Sequence, residues 1–258
     1  MTALPAEDLP DADGHLWHSP QFVIEWIRLR EDLASNHDRA RHAEEQKILL
    51  AAGRRLDREH LRLLDLGAGW GRFIKTLLNE FRQSTAVALD FSQPMLEAAK
   101  TNLGNLADRV EFVCQDLTNE HSITDLNGQF DLIFSSQTLH HFEPGSLRHI
   151  YQKIAQILSP GGIFLNFDRV SRPPSLAARL AYRAAIEFPF SAVIPWETRR
   201  VDQFTLGLDR KLTDIFGQGK RRAHDVMLAE HVDLMEAAGL TVAWRPLSPQ
   251  RFMLCGKR

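Results

Sequence analysis

Residues 63–73 read LLDLGAGWGRF. An apolar run carrying one acid meets glycines at 67, 69 and 71, and a helical pattern begins directly after them. Few other eleven-residue stretches limit a fold so strongly. Alternate glycines let the chain bend sharply from strand to helix, and they leave no Cβ between the main chain and a ligand. Such a bend belongs at the first strand-to-helix connection of an open parallel sheet. Ligands of these sheets bind beyond the carboxyl ends of the strands, where strand order reverses.

The rest of the chain supplies that sheet. Strand-like runs occupy 61–67, 85–90, 110–116, 130–136 and 162–168, with helical patterns between them. The clearest helix opens at Pro144 and presents Leu147, Ile150, Ile154 and Leu158 along one face, with Ser159-Pro160-Gly161 as its stop. Short strands alternating with helices imply βαβ units and an α/β fold with both sheet faces covered. Before this core, Ser19 reads as an N-cap and Pro20 as a first helical residue, with Phe22, Trp26, Leu29 and Leu33 at helical spacing. A second helix is expected from about Asp38 to Ala52, stopped at Gly53. The rhythm breaks after 168 and resumes near 225. We therefore divide the chain into a tail and helices at 1–56, a core at 57–168, an insertion at 169–224 and a closing helix with two strands at 225–258.

Three acids narrow the ligand. The residues after Gly71 are Arg72 and Phe73, so the turn lacks the lysine and hydroxyl of a nucleoside triphosphate loop. The third glycine also falls one place earlier than in the dinucleotide fingerprint. Asp65 stands on the strand itself, where it can receive an ammonium group or orient the amides of the turn. Asp90 ends the second strand, 19 residues after Gly71, where a carboxylate accepts ribose hydroxyls. Asp116 ends the third strand and is followed by Leu117; there a carboxylate and a backbone amide can meet an adenine edge.

With LLDLGAGWGRF, the segments VALDFSQPMLEAAK, VEFVCQDL, FDLIFSSQTLHHF and ILSPGGIFLNFD resemble the successive motifs of class I S-adenosylmethionine-dependent methyltransferases. The likeness spans 61–168, and AEHVDLMEAAGL with the closing strands resembles the end of that fold. It implies a Rossmann-like, seven-stranded sheet in order 3-2-1-4-5-7-6, with the last strand antiparallel. It further implies S-adenosylmethionine as cofactor, with Asp65, Gly67, Ala68 and Gly69 around its methionine part. Asp90 would take the ribose with Phe91 and Met95 beside it, and Asp116 and Leu117 the adenine. Ser135 and Gln137 would border the methionine and the sulfonium. Trp70 is bulky for the turn, and Asp168 stands where a longer acid is frequent.

The chemistry such a cofactor asks of a protein is modest. Aligning an acceptor opposite the C–S bond supplies roughly 7–11 kcal/mol, and a general base adds about 10²–10⁴-fold where the nucleophile must lose a proton. His140 and His141, on the loop leaving the fourth strand, are the candidate bases, against the alternative that they pack or bond locally. His224 and His231 read as surface or lid residues. The histidines do not pair with cysteines or carboxylates at ligand spacing, so no metal is expected. Strand four ends in SSQT rather than the [DN]-P-P-[YF] arrangement of amide and adenine methylation. That ending favours a small-molecule acceptor over DNA adenine or protein glutamine.

The aromatic and arginine-containing stretch from Leu180 to Arg222 reads either as an apolar lid over the acceptor or as a small helical subdomain. Trp17, Phe22 and Trp26 are expected beside the cofactor pocket. Arg39 and Arg41 read as helix-surface charge, with reach to the methionine carboxylate as the alternative. A formal net charge of −2 provides no global attraction to nucleic acid. An RNA-modifying enzyme would need a local patch around Arg199, Arg200 and Lys220–Arg222, and a non-catalytic cofactor-binding partner protein would carry the same motifs. Cys114 and Cys255 read as two buried thiols in a reducing compartment. With an acidic N-terminus and no long apolar run, the expected location is the cytoplasm, away from membranes. Oligomeric state is left open.

Overall fold

A computed structural model describes residues 15–32, 36–119, 123, 126, 128–169, 226–248 and 251–258. Seven strands form one sheet: β1 (Arg62–Leu66), β2 (Thr85–Asp90), β3 (Val110–Cys114), β4 (Phe130–Ser136), β5 (Leu158–Arg169), β6 (Thr241–Ser248) and β7 (Arg251–Lys257). Their order is β3-β2-β1-β4-β5-β7-β6. The first five are parallel, and β7 runs antiparallel to both β5 and β6. The expected topology is the observed one. Chain order reverses direction between β1 and β4, so ligand space opens above the ends of these two strands.

Side chains alternate across the sheet and separate into two cores. Leu64, Leu66 and Ile133 point to one face, where α5 (Pro144–Ile157) and α6 (Leu228–Ala237) deliver Ile150, Tyr151, Ile154 and Met235. Leu63, Leu132 and Phe134 point to the other. There they meet Leu49 of α2 (Asn36–Arg55) and Ile74 and Leu77 of α3 (Arg72–Glu80). Leu96 of α4 (Gln93–Leu103) belongs to the same core. Along β1, β2, β4 and β5 both faces are covered, which is why these strands read as nearly continuous apolar runs, whereas the edge strand β3 is partly exposed.

Helix starts follow capping chemistry. Ser19 Oγ accepts from Phe22 N at 3.3 Å to open α1 (Pro20–Asp32), and Ser92 Oγ accepts from Met95 N at 3.2 Å to open α4. Three boundaries differ from expectation. On α1 the inward residue is Val23, 1% exposed, whereas Leu29 is 44% exposed; Phe22 and Trp26 turn sideways toward a cleft, and Leu33 lies outside the described residues. Gly53 does not stop α2. It lies inside the helix, where a Cβ would come 2.5 Å from the Phe81 ring, so the glycine answers a close approach rather than a turn. Leu158 belongs to β5 and not to the preceding helix; Ser159–Gly162 form an irregular strand start opposite Phe130–Leu132. The insertion expected at 169–224 falls outside the described residues apart from Arg169, as do its aromatic residues, its arginines and His224.

Candidate functional site

A cavity of about 500 Å³ opens above the carboxyl ends of β1 to β4, roofed by the first helical segment and α1. That volume lies in the range of small-ligand sites. The turn after β1 is its floor. Gly67, Gly69 and Gly71 all have positive φ (76°, 51° and 71°), the left-handed region that favours glycine. A Cβ on Gly67 would lie 2.2 Å from Thr138 Oγ1, so the turn needs glycine there for conformation and for space. A Cβ on Gly69 would meet nothing within 4 Å, because that residue faces open cavity.

The three acids stand where strand spacing puts them. Asp90 accepts from Gly69 N and Ser92 N, both at 2.9 Å, and so ties the glycine turn to the end of β2. Burial raises its pKa against the lowering effect of these amides. Phe91 and Met95 line the cavity beside it. Asp116 and Leu117 line the far end, with Asp116 Oδ1 accepting from Thr118 N at 2.8 Å. Asp65 is 2% exposed and also lines the cavity. Burial raises its pKa well above the ordinary carboxylate range, and the Asp90 charge raises it further. No described residue donates a hydrogen bond to it. A buried carboxylate left without a donor costs free energy that a cationic ligand would recover.

Ala68 and Gln137 line the same cavity, the latter with φ of 59° and its Nε2 donating to Phe167 O at 3.2 Å. Ser135 does not. It is fully buried on the opposite face of β4, where its Oγ donates to Leu66 O at 3.0 Å. The alternation of side chains along the strand gives the cavity position to Ser136, whose Oγ donates to Glu45 Oε2 at 3.3 Å.

A cationic cluster stands at this end of the cavity, of which the sequence singled out only Arg41, and that as an alternative to surface charge. Arg39 is exposed, as a helix-surface charge should be, but Arg41 is only 8% exposed and points inward. Arg30, Arg41, His42 and Arg72 all line the cavity. Arg41 Nη2 lies 2.7 Å from His42 Nε2, and Arg72 Nη1 approaches His42 Nδ1. Guanidinium groups only donate and a neutral imidazole has one acceptor, so only one of these contacts is a hydrogen bond. Burial holds Arg72 down to about 10, the Glu45 charge opposes this, and Arg41 and Arg30 push it lower. Glu45 also lies 3.6 Å from Arg41 Nε. The spacing that could have revealed the cluster is Arg41 to Glu45, an i,i+4 pair that reads equally as surface charge.

The two candidate bases differ. His140 Nδ1 donates to Asp168 Oδ1 at 2.6 Å, its backbone N donates to Asp168 Oδ2 at 2.9 Å, and Arg169 Nη2 donates to its Nε2 at 2.6 Å. Asp168 is buried at the end of β5; burial raises its pKa but the His140 charge and hydrogen bonds outweigh this, and the net shift is downward. Nδ1 faces an ionised acceptor and Nε2 a donor-only guanidinium, so whenever the ring is neutral its proton sits on Nδ1. His141 is exposed and stacks on His140 with ring centroids 4.0 Å apart. His231 is no surface residue: it is 1% exposed and bonded to Tyr151 Oη at 2.7 Å. Cys255 is buried, but Cys114 is exposed near the edge of the sheet rather than buried. No three of the described His, Cys, Asp and Glu residues are grouped to hold a metal ion, and no described helix is long and apolar enough to cross a membrane.

Residues 63–162, from β1 into β5, match the family model of a methyltransferase domain. Over that stretch the chain is similar to methyltransferases. Among curated relatives, this core is 37% identical over 111 residues to a demethylmenaquinone methyltransferase of Leptospira interrogans, covering 42% of this chain and 43% of that one. It is 30% identical over 107 residues to a malonyl-[acyl-carrier protein] O-methyltransferase of Priestia megaterium, covering 42% and 36%. The matched segment thus spans less than half the length of these relatives. In fold, the chain is similar to magnesium protoporphyrin IX methyltransferase of Synechocystis PCC 6803 with bound SAH (TM-score 0.59, 16% identity, 95% of this chain and 96% of that one).

Proposed function

We propose that this protein transfers a methyl group from S-adenosylmethionine to a small-molecule acceptor, with His140 as the base. The observation that carries the reading is the line of groups along the cavity. From β3 to β4 it runs Asp116, Asp90, Asp65 and then the Arg30–Arg41–Arg72 cluster. Adenine edge, ribose diol, ammonium and carboxylate follow in the same order in that cofactor. Asp65, buried without a donor among the described residues, and the three arginines, set against Glu45 and Glu31, complement the two charges of an α-amino acid. When bound, the cofactor supplies an activated methyl group on a positively charged sulfur.

The chain supplies alignment and one proton acceptor. Gln137, Thr138 and His140 follow β4, so an acceptor beside His140 lies next to the Asp65 end of the cavity. Nε2 of His140 would take the proton that an acceptor hydroxyl loses on receiving the methyl group. Asp168, ionised and buried, stabilises the imidazolium that results. The name of one curated relative, a demethylmenaquinone methyltransferase, supports a small-molecule acceptor.

Thermal unfolding with S-adenosylmethionine, S-adenosylhomocysteine or NADH tests the cofactor. A ligand at about 100 times its Kd adds ~2.7 kcal/mol, or roughly 5–10 °C for a chain of this size. Both sulfur ligands should raise Tm, and Asp90→Ala should abolish the rise. A shift with NADH alone, or with none of the three, contradicts the proposal.

A further inference from the structure

We infer that the acceptor is a hydroxy acid, and that Arg169 binds its carboxylate and in doing so uncovers His140; this rests on the methyltransferase reading above. Arg169 lines the cavity, and its guanidinium has one side-chain partner among the described residues, Nε2 of His140 at 2.6 Å. That nitrogen carries the only lone pair with which His140 can act as a base, since Nδ1 holds its proton against Asp168. In the ligand-free protein the base is therefore capped by a cation. The Asp168 carboxylate beside it is already engaged by His140 Nδ1, His140 N and Arg169 N, and it accepts nothing from the Arg169 guanidinium.

A cation at the cavity wall whose described partner is neutral gains most from an anionic ligand. The cofactor's single carboxylate is already matched by the Arg30–Arg41–Arg72 cluster above β1 and β4, whereas Arg169 ends β5, beyond it. Its counter-charge is left to the acceptor. A carboxylate draws the guanidinium off Nε2, and the freed lone pair meets the hydroxyl. Arg169 and His140 adjoin on the cavity wall, so a hydroxyl and a carboxylate on neighbouring carbons suit the pair. A neutral acceptor leaves the cap in place, so the same contact selects against it.

Salicylate and its neutral counterpart salicylamide are the probes. Calorimetric titration of the full chain, with and without S-adenosylhomocysteine, should show salicylate binding at least about tenfold more tightly. Arg169→Gln should erase the difference, and Arg169→Lys should retain part of it. In ¹⁵N spectra, salicylate should move the His140 Nε2 signal to the position it already holds in Arg169→Gln. Equal affinity for the two probes, no binding of either, or a preference that survives Arg169→Gln overturns the inference. The cofactor-free titration separates these outcomes even if S-adenosylhomocysteine fails to bind, which would instead refute the methyltransferase reading.

Discussion

Replacing Asp65 by asparagine should make the ligand-free protein more stable and the cofactor bind less well. Asp65 is 2% exposed, faces the charge of Asp90 and receives no hydrogen bond from any described residue. Burial raises its pKa, so the ionised form destabilises the fold. The penalty at pH 7 has a ceiling, because the group can take up a proton instead. Between an unfolded value near 3.9 and pH 7 that alternative costs about 4 kcal/mol. Asparagine removes the charge but leaves an amide as buried as the carboxylate was, so the gain is that of the charge alone, above zero and at most about 4 kcal/mol. At about 2–4 °C per kcal/mol for a chain of this length, Asp65→Asn should raise the ligand-free Tm by up to roughly 8–16 °C. The sign has a pH signature. A raised carboxylate pKa destabilises only where the group is ionised, so the gain is largest above the folded pKa and vanishes below about pH 4. Affinity for S-adenosylhomocysteine should fall by roughly 10–100-fold, the loss of one charge-assisted contact to the ammonium. Scanning calorimetry from pH 4 to 8, with and without S-adenosylhomocysteine, reads both effects. A less stable ligand-free variant, or one with unchanged affinity, refutes the assignment of Asp65 as a buried charge awaiting a cation.

Gly67→Ala should cost about 2 kcal/mol or more in chemical denaturation, and Thr138→Gly should recover part of it by removing the 2.2 Å clash while leaving the positive φ; full tolerance of the alanine contradicts this. Arg41→Gln should weaken S-adenosylhomocysteine but leave 5′-methylthioadenosine, which lacks the amino-acid tail, unchanged in calorimetric titration. Equal losses for both ligands would place the arginine elsewhere. Burial holds His231 down to about 4, against the opposing charge of Asp168. Its folded value is thus below the unfolded one near 6.5, and stability is unaffected above pH 6.5 and lost as pH falls toward 4. The loss is at most about 3 kcal/mol, and it should be absent in His231→Gln when urea midpoints are compared across that range.

The sheet order and the ladder of acids were legible because they rest on strong local signals: glycines needing positive φ, and carboxylates at strand ends. Those signals depend on one strand and its next turn. What escaped depends on which way a side chain turns. Ser135 and Ser136 are equivalent in sequence, and only the pleat of β4 decides that Ser136 meets the cavity. Arg41 sits in a polar helix whose inward face is set by packing against α3 and the glycine turn, so charge alone read as surface. His231 is buried because Tyr151, 80 residues away, offers a partner. Gly53 looked like a helix stop until the Phe81 ring gave it a packing reason.

If the proposed function holds, this cleft takes the cofactor in one orientation along the strand ends. Backbone amide spectra of ¹⁵N-labelled protein titrated with S-adenosylhomocysteine would read that orientation. Saturable shifts are expected at Gly67, Gly69 and Leu117 together, with those at Leu117 lost when homocysteine replaces the full ligand. Shifts confined to one end of the cleft, at a different surface, or absent at saturating ligand would contradict it.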